Sequence, residues 1–222
     1  MGSIKVFGSP TSAEVARVLA CLFEKDVEFQ LVRVDNYKGT ERKPEYLKLQ
    51  PFGQALTFED GKTTLVDSRA ICRYISERYP EQGNKDILGK GTLERASIEQ
   101  WLQTEEQSFE PPSSALVFHL AYAPVLGLET DKMVVEDSRR KLAKVLDIYE
   151  QRLEETRFLA GDKFTLADLS HLPNAQRLST IAGCAALFKE RKRVSKWWSD
   201  ISCRPSWKRV VDMQNEPPAA AA

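Results

Sequence analysis

The chain has 222 residues with 32 acidic and 32 basic side chains, so its formal net charge is zero. That length buries one good core or two small ones, since domains run to about 100–200 residues. The even charge balance argues against a nucleic-acid surface or an acidic tail, and no apolar run approaches the roughly 18 residues needed to span a bilayer.

Met1-Gly2-Ser3 leads straight into Ile4-Lys5-Val6-Phe7, which reads as a strand. No secretory leader is expected, and the chain reads as soluble. Val15, Val18, Leu19 and Leu22 recur at helical spacing. Residues 27–34 are β-rich and give a second strand. Strand, helix, strand implies a right-handed crossover with the strands parallel. A polar stretch with a short helix near 42–49 follows. Asp60-Gly61 is a hairpin signal between strands at 55–59 and 63–66, and a type I′ turn is expected there. A helix then runs from Ser68 to about Tyr79. This βαβ-then-ββα order is the thioredoxin-like arrangement. No CxxC is present, so dithiol chemistry is not expected.

Residues 80–86 form a polar linker with Pro80 and Gly83, and beyond Thr92 the chain reads as helical. Leu142, Val145, Leu146, Tyr149 and Leu153 make a sustained helical stripe. Thr165 and Asp168 have the spacing of a capping box, with Asp168 read as a buried capping carboxylate. The expected fold is α+β with all-α: a thioredoxin-like βαβαββα domain at 1–81, a linker at 82–91, and an all-helical domain at 92–222. Cys21, Cys72, Cys184 and Cys203 are scattered, and with only His119 and His171 to join them the spacing gives no metal site. Cys21 and Cys72 lie in helical patterns as core thiols, which suits a reducing cytosol.

The helix starting near Ser68 begins at the end of a strand, where backbone N–H groups lack partners and favour an anion. Asp67 and Ser68 at that point suit an ammonium and a carboxylate held together, as in an amino-acid-like or γ-glutamyl ligand. As plain structure, the same residues are a helix cap.

Several motifs then resemble the glutathione transferases, and in detail the plant phi class. Lys5-Val6-Phe7-Gly8-Ser9-Pro10-Thr11-Ser12 is similar to that family's first strand and catalytic loop. Pro51-Phe52-Gly53-Gln54 and Asp67-Ser68-Arg69-Ala70-Ile71 resemble its glutathione-site motifs. Trp101, Pro124, Phe158-Leu159-Ala160-Gly161-Asp162, Leu166-Ala167-Asp168-Leu169, Trp197-Trp198 and Arg204-Pro205-Ser206 resemble its helical half. The likeness spans essentially the whole chain with motif order kept.

The resemblance implies Ser12 as the catalytic residue, its hydroxyl donating to the thiol sulfur of bound glutathione. Ser12 is also a natural N-cap, and the two roles are compatible. A thiol of pKa about 8.5 is only about 3% ionised at pH 7. Lowering it by roughly two units needs about 2.7 kcal/mol and gives about 75% thiolate. The nucleophile then belongs to the bound tripeptide. Thr11 and Ser9 are neighbouring hydroxyls, ranked behind Ser12. Asp67 would pair the γ-glutamyl ammonium and Ser68 would take its carboxylate, although the family more often has glutamate at the Asp67 position. Arg42 and Lys43 would meet the glycyl carboxylate, with Glu41 standing where the family usually has histidine. Gln54 and Ala55 complete the glutathione site.

The sharpest departure is Leu56, where the family normally has a cis proline. A cis X–Pro bond lies only about 0.5–1 kcal/mol above trans, whereas a non-proline cis bond costs about 2.5–4 kcal/mol. A trans Ala55–Leu56 bond is therefore expected, with glutathione affinity reduced by one or two backbone hydrogen bonds.

The resemblance places an apolar substrate pocket at Thr11, Ala13, Asn36, Phe118 and Tyr122. Phe118 and Tyr122 are four residues apart and share a helix face, a spacing that also describes packed core. His119 is read as structural or exposed. By the same resemblance Phe52 would insert into a partner subunit, which implies a homodimer. The implied function is conjugation of glutathione to hydrophobic electrophiles, or reduction of organic hydroperoxides by the same thiolate. Glutathione is then a co-substrate, with no cofactor, no nucleic acid and no membrane partner, in the cytoplasm. The competing reading is a weak or inactive carrier of flat aromatic metabolites such as flavonoids. Ser12, Gln54 and Ser68 favour the enzyme; Leu56 and Glu41 favour the carrier.

Overall fold

The computed structural model describes residues 4–33 and 56–216. Two compact units make up the chain. The first holds Met1–Lys85 with Pro205–Ala222, and the second holds Asp86–Arg204. The boundary falls within the linker expected at 82–91. The final helix, expected in the 92–222 domain, groups with the first unit.

In the first unit, β1 (Ile4–Phe7), β2 (Phe29–Val32), β3 (Thr57–Asp60) and β4 (Thr63–Leu65) form one sheet in the order β2-β1-β3-β4. β1 and β2 are parallel, with Val6 opposite Leu31. β3 runs antiparallel to both β1 and β4. A parallel pair needs a crossover, and α1 (Ala13–Glu24) supplies it. The expected helical stripe of Val15, Val18, Leu19 and Leu22 is fully buried. So are Ala16, Arg17, Ala20 and Cys21, because α1 packs against both α2 (Ser68–Arg78) and α11 (Pro205–Asn215).

The hairpin corrects one expectation. Asp60 is the last residue of β3 and pairs with Thr63, so the loop is Gly61-Lys62. Only Gly61 has positive φ, at 62°, which is not the type I′ turn expected at Asp60-Gly61. The position that demands positive φ sits one residue later, where glycine takes it without steric cost. Leu56, where the family usually has proline, is fully buried in this unit. The Ala55–Leu56 bond and the short helix expected near 42–49 lie outside the described residues.

Several contacts bind the ends of the first unit together. Glu24 accepts a hydrogen bond from Ser206 Oγ at the start of α11. Arg33 Nη2 donates to the Met213 carbonyl at 2.9 Å. The Asn84 N–H donates to the Glu24 carbonyl at 2.8 Å. Gly83, at φ 50°, allows that last approach, since a Cβ there would collide with the Glu24 carbonyl oxygen.

The second unit is helical. α3 (Gly91–Thr104), α4 (Glu110–Val117) and α5 (Ala123–Val125) run on as one continuous helix, interrupted by π-helical turns at Glu105–Phe109 and Phe118–Tyr122. α6 (Lys132–Glu155) packs on α4 and on α10 (Lys192–Ser202). Short helices α7 (Leu166–Leu169), α8 (Leu172–Ser179) and α9 (Ala186–Lys189) fill in around them. The predicted stripe on α6, from Leu142 to Leu153, is buried throughout. Tyr149 from that stripe lies edge-on to Trp101, His171 and Trp197 at 5.3–6.1 Å between centroids, a favoured aromatic arrangement.

Candidate active site

β1 ends in a loop that delivers the chain to the start of α1. Within it, Ser9 Oγ and Thr11 Oγ1 are 2.8 Å apart and hydrogen-bond to each other. The Thr11 N–H also donates to Ser9 Oγ at 3.3 Å. Gln214 Nε2, from α11, donates to the Pro10 carbonyl at 2.9 Å and pins the loop. Ser12 occupies the N-cap with extended backbone, and its carbonyl accepts the first helical bond from the Ala16 N–H at 2.9 Å. Its side chain makes no capping hydrogen bond. The hydroxyl expected to act on a thiol is thus the one in this loop not spent on the cap or on a neighbouring hydroxyl. Thr11 is exposed and Ala13 half-buried.

The second arm is the start of α2. Asp67 is its N-cap, and Asp67 Oδ1 accepts from the Ala70 N–H at 2.7 Å. One oxygen of the carboxylate is therefore engaged in capping, and the exposed residue has further acceptor capacity for an ammonium. Ser68, the first helical residue, is 3% exposed, and its Oγ accepts from Arg17 Nη1 at 2.7 Å. Arg17 lies on α1 and is itself 1% exposed.

Sequence reasoning passed over Arg17. Its only sequence signal is a charged residue among α1 positions that all pack inward, and that became informative once α2 and α11 were seen to enclose the helix.

Two helix N-termini, both in the first unit and on helices that pack together, carry these residues. Each end supplies unsatisfied N–H donors and the positive pole of its helix dipole, so each favours an anionic group. Together they offer a hydroxyl for a thiolate, donors for a carboxylate and a carboxylate for an ammonium.

In the second unit, Phe118 and Tyr122 bracket a π turn rather than an α turn, closed by the Ala123 N–H on the Phe118 carbonyl. Neither is packed core. Phe118 is 40% exposed, and the half-buried Tyr122 ring has the Arg177 guanidinium 6.0 Å from its centroid. His119 pins the following loop: its carbonyl accepts from Thr130 Oγ1 at 2.9 Å and its Nδ1 from the Asp131 N–H at 3.3 Å. Asn36, Glu41, Arg42, Lys43, Phe52, Gln54 and Ala55 lie outside the described residues.

Asp168 is a buried structural carboxylate. It accepts from the Leu159 and Thr165 N–H groups, each at 3.1 Å, and from Trp197 Nε1 at 2.9 Å. Burial raises its pKa above the usual carboxylate range against the pull of those donors. Cys21 and Cys72 are buried thiols, and burial with Cys21 alongside pushes the Cys72 pKa well up, the opposite of a reactive cysteine. Among the described residues no cluster of three or more His, Cys, Asp or Glu could hold a metal ion. No helix among them is long and apolar enough to cross a membrane.

Known proteins resemble this chain over most of its length. Residues 2–77 match the family described as glutathione S-transferase, N-terminal domain, and residues 102–205 match its C-terminal domain. Glutathione S-transferase F10 of Arabidopsis thaliana is 46% identical over 202 residues, covering 91% of this chain and 94% of that protein. The crystal structure of glutathione transferase F2 from Populus trichocarpa superposes with a TM-score of 0.93 at 53% identity, covering 95% of this chain and 98% of that one. Glutathione S-transferase I from maize, solved with an atrazine glutathione conjugate, gives a TM-score of 0.88 at 30% identity, covering 98% of this chain and all of that one. The chain belongs to the glutathione S-transferase family and, within it, to the phi class.

Proposed function

We propose that this transferase binds glutathione across the N-termini of α1 and α2 and uses Ser12 to hold its sulfur as thiolate. The observation that carries this reading is the Ser12 hydroxyl, which stands at the N-terminus of α1 and makes no capping bond. A hydroxyl donor and a helix dipole at one sulfur both favour the anion. Asp67 pairs the γ-glutamyl ammonium, while Ser68 and the first turn of α2 take its carboxylate. Arg42 and Lys43 meet the glycyl carboxylate in this reading, and Gln54 and Ala55 the middle of the tripeptide, as the resemblance of their motifs suggests.

The thiolate attacks an electrophilic carbon of a hydrophobic substrate, and the leaving group departs with the displaced electron pair. The atrazine conjugate held by the maize relative supports that substrate class. Thr11, Ala13, Asn36, Phe118 and Tyr122 are the residues we assign to that substrate. Glutathione is consumed as co-substrate, with no further cofactor. The working form is a homodimer in the cytoplasm, with Phe52 reaching the partner.

Thiolate absorbance of bound glutathione, followed against pH by ultraviolet difference spectroscopy, tests the assignment. The thiol pKa should lie clearly below that of free glutathione in the wild type and return toward it in Ser12→Ala. An unchanged pKa in the variant would remove Ser12 from the role.

A further inference from the structure

Arg17 is a buried cation on α1 that reaches the start of α2, and nothing in the thiolate chemistry calls for it. Its guanidinium carries only donors, so at 2.7 Å from Ser68 Oγ it must donate and the serine oxygen must accept. One serine lone pair is consumed by that bond, while the hydroxyl hydrogen remains to be given away. Ser68 is thereby held as a donor, at a helix end that already favours anions.

The two helices are joined a second time beside this contact, where Cys72 Sγ lies 3.7 Å from the Arg17 carbonyl oxygen. Arg17 and Ser68 are both almost wholly buried, so the charge sits in surroundings that screen it weakly. A neutral amide offered at the same place would compete poorly with a carboxylate, since it lacks the charge that the guanidinium and helix end favour.

We propose that Arg17 is a positioning residue that fixes Ser68 as a donor and so selects a carboxylate at the start of α2. The inference rests on the assignment of the γ-glutamyl carboxylate to Ser68 made above. Arg17 acts through Ser68 and takes no part in ionising the thiol.

The test compares binding of glutathione with binding of its analogue in which the γ-glutamyl α-carboxylate is a carboxamide, both by isothermal titration calorimetry. The wild type should prefer glutathione by about tenfold or more, the scale of one hydrogen bond involving a charged group. In Arg17→Met that preference should fall below about threefold, and Arg17→Lys should retain part of it because it keeps a cationic donor on the same helix. Ser68→Ala should also lower the preference, and adding Arg17→Met to it should change the ratio little further. The thiol pKa of bound glutathione should stay at its wild-type value in Arg17→Lys.

A preference for the carboxylate that survives in Arg17→Met, with both ligands weakened equally, would overturn the proposal and leave Arg17 a packing residue. Should Arg17→Met fail to fold, the Ser68→Ala and Arg17→Lys ratios still decide. A wild-type preference in Ser68→Ala, or one lost in a folded Arg17→Lys, counts against the proposal. Failure of the wild type itself to bind glutathione would overturn the assignment beneath it, a result distinct from binding without selectivity.

Discussion

Two sets of polar residues, one in each unit, differ in how far their hydrogen-bonding capacity is used. In the helical unit, Asp168 and His171 are buried and matched to neighbours. Asp168 collects two backbone N–H groups and the Trp197 indole, while His171 is held at both ring nitrogens. There Nδ1 faces the Ala167 carbonyl at 2.7 Å and must donate, while Nε2 lies 2.9 Å from Tyr149 OH. In the sheet-bearing unit, the ends of α1 and α2 present groups with capacity left over: the uncapping Ser12 hydroxyl, the second oxygen of Asp67 and the hydroxyl hydrogen of Ser68. Polar residues matched to neighbours hold a fold together, and polar residues with spare valence are available to a ligand.

Substitutions should separate the two kinds. Asp168→Ala, which strands three buried N–H donors and the Thr165 hydroxyl, should lower unfolding stability by about 3–5 kcal/mol in a denaturant titration. Loss of activity in that variant should follow loss of folded protein. pH sharpens the point. Burial lifts the Asp168 pKa above its unfolded value, so the stability linked to this group is full below the ordinary carboxylate pKa. It declines as pH rises through the higher folded-state value. Against Asp168→Asn, which cannot titrate, the wild type should therefore lose relative stability as pH is raised through that window, read from denaturant midpoints.

Ser12→Ala should do the reverse. Conjugation at pH 7 should slow on the order of 25-fold, as thiolate falls from about three-quarters to a few per cent of bound thiol. Stability should change by less than about 0.5 kcal/mol, because no capping bond is lost. A large destabilisation would place Ser12 with the structural residues.

Asp67 and Asp131 cap α2 and α6 in the same way, Asp131 accepting from the Met133 and Val134 N–H groups. Replacing either by alanine should cost about 1 kcal/mol. Only Asp67→Ala should also weaken glutathione binding, which calorimetry would resolve. The smallest effect belongs to Phe118→Ala. With the ring 40% exposed, stability should move by less than about 1 kcal/mol, while KM for a hydrophobic electrophile should rise with little change in KM for glutathione. Equal changes in both would take Phe118 out of the substrate pocket.

Much of the fold was legible because it is written in local spacing. The stripes on α1 and α6 specify buried faces by periodicity alone, and the crossover from β1 to β2 follows from chirality. The hairpin was found but misphased by one residue, since Asp-Gly marks a turn more surely than its register. The site was legible in part. Asp67 and Ser68 announce a helix start in any sequence, whereas the resemblance to a family was needed to give Ser12 a ligand.

What the sequence determined by itself was the order of elements, the faces that turn inward and the residues that begin each helix, because these depend on neighbours a few positions away. Tertiary structure alone decided that α11 belongs with the sheet and that Ser12 leaves its own cap unmade. It also decided that Ser68 meets Arg17. Ser68 and Arg17 are 51 residues apart in the chain. No propensity or periodicity reaches that far, and only the packing of α1 against α2 brings donor and acceptor to hydrogen-bond distance.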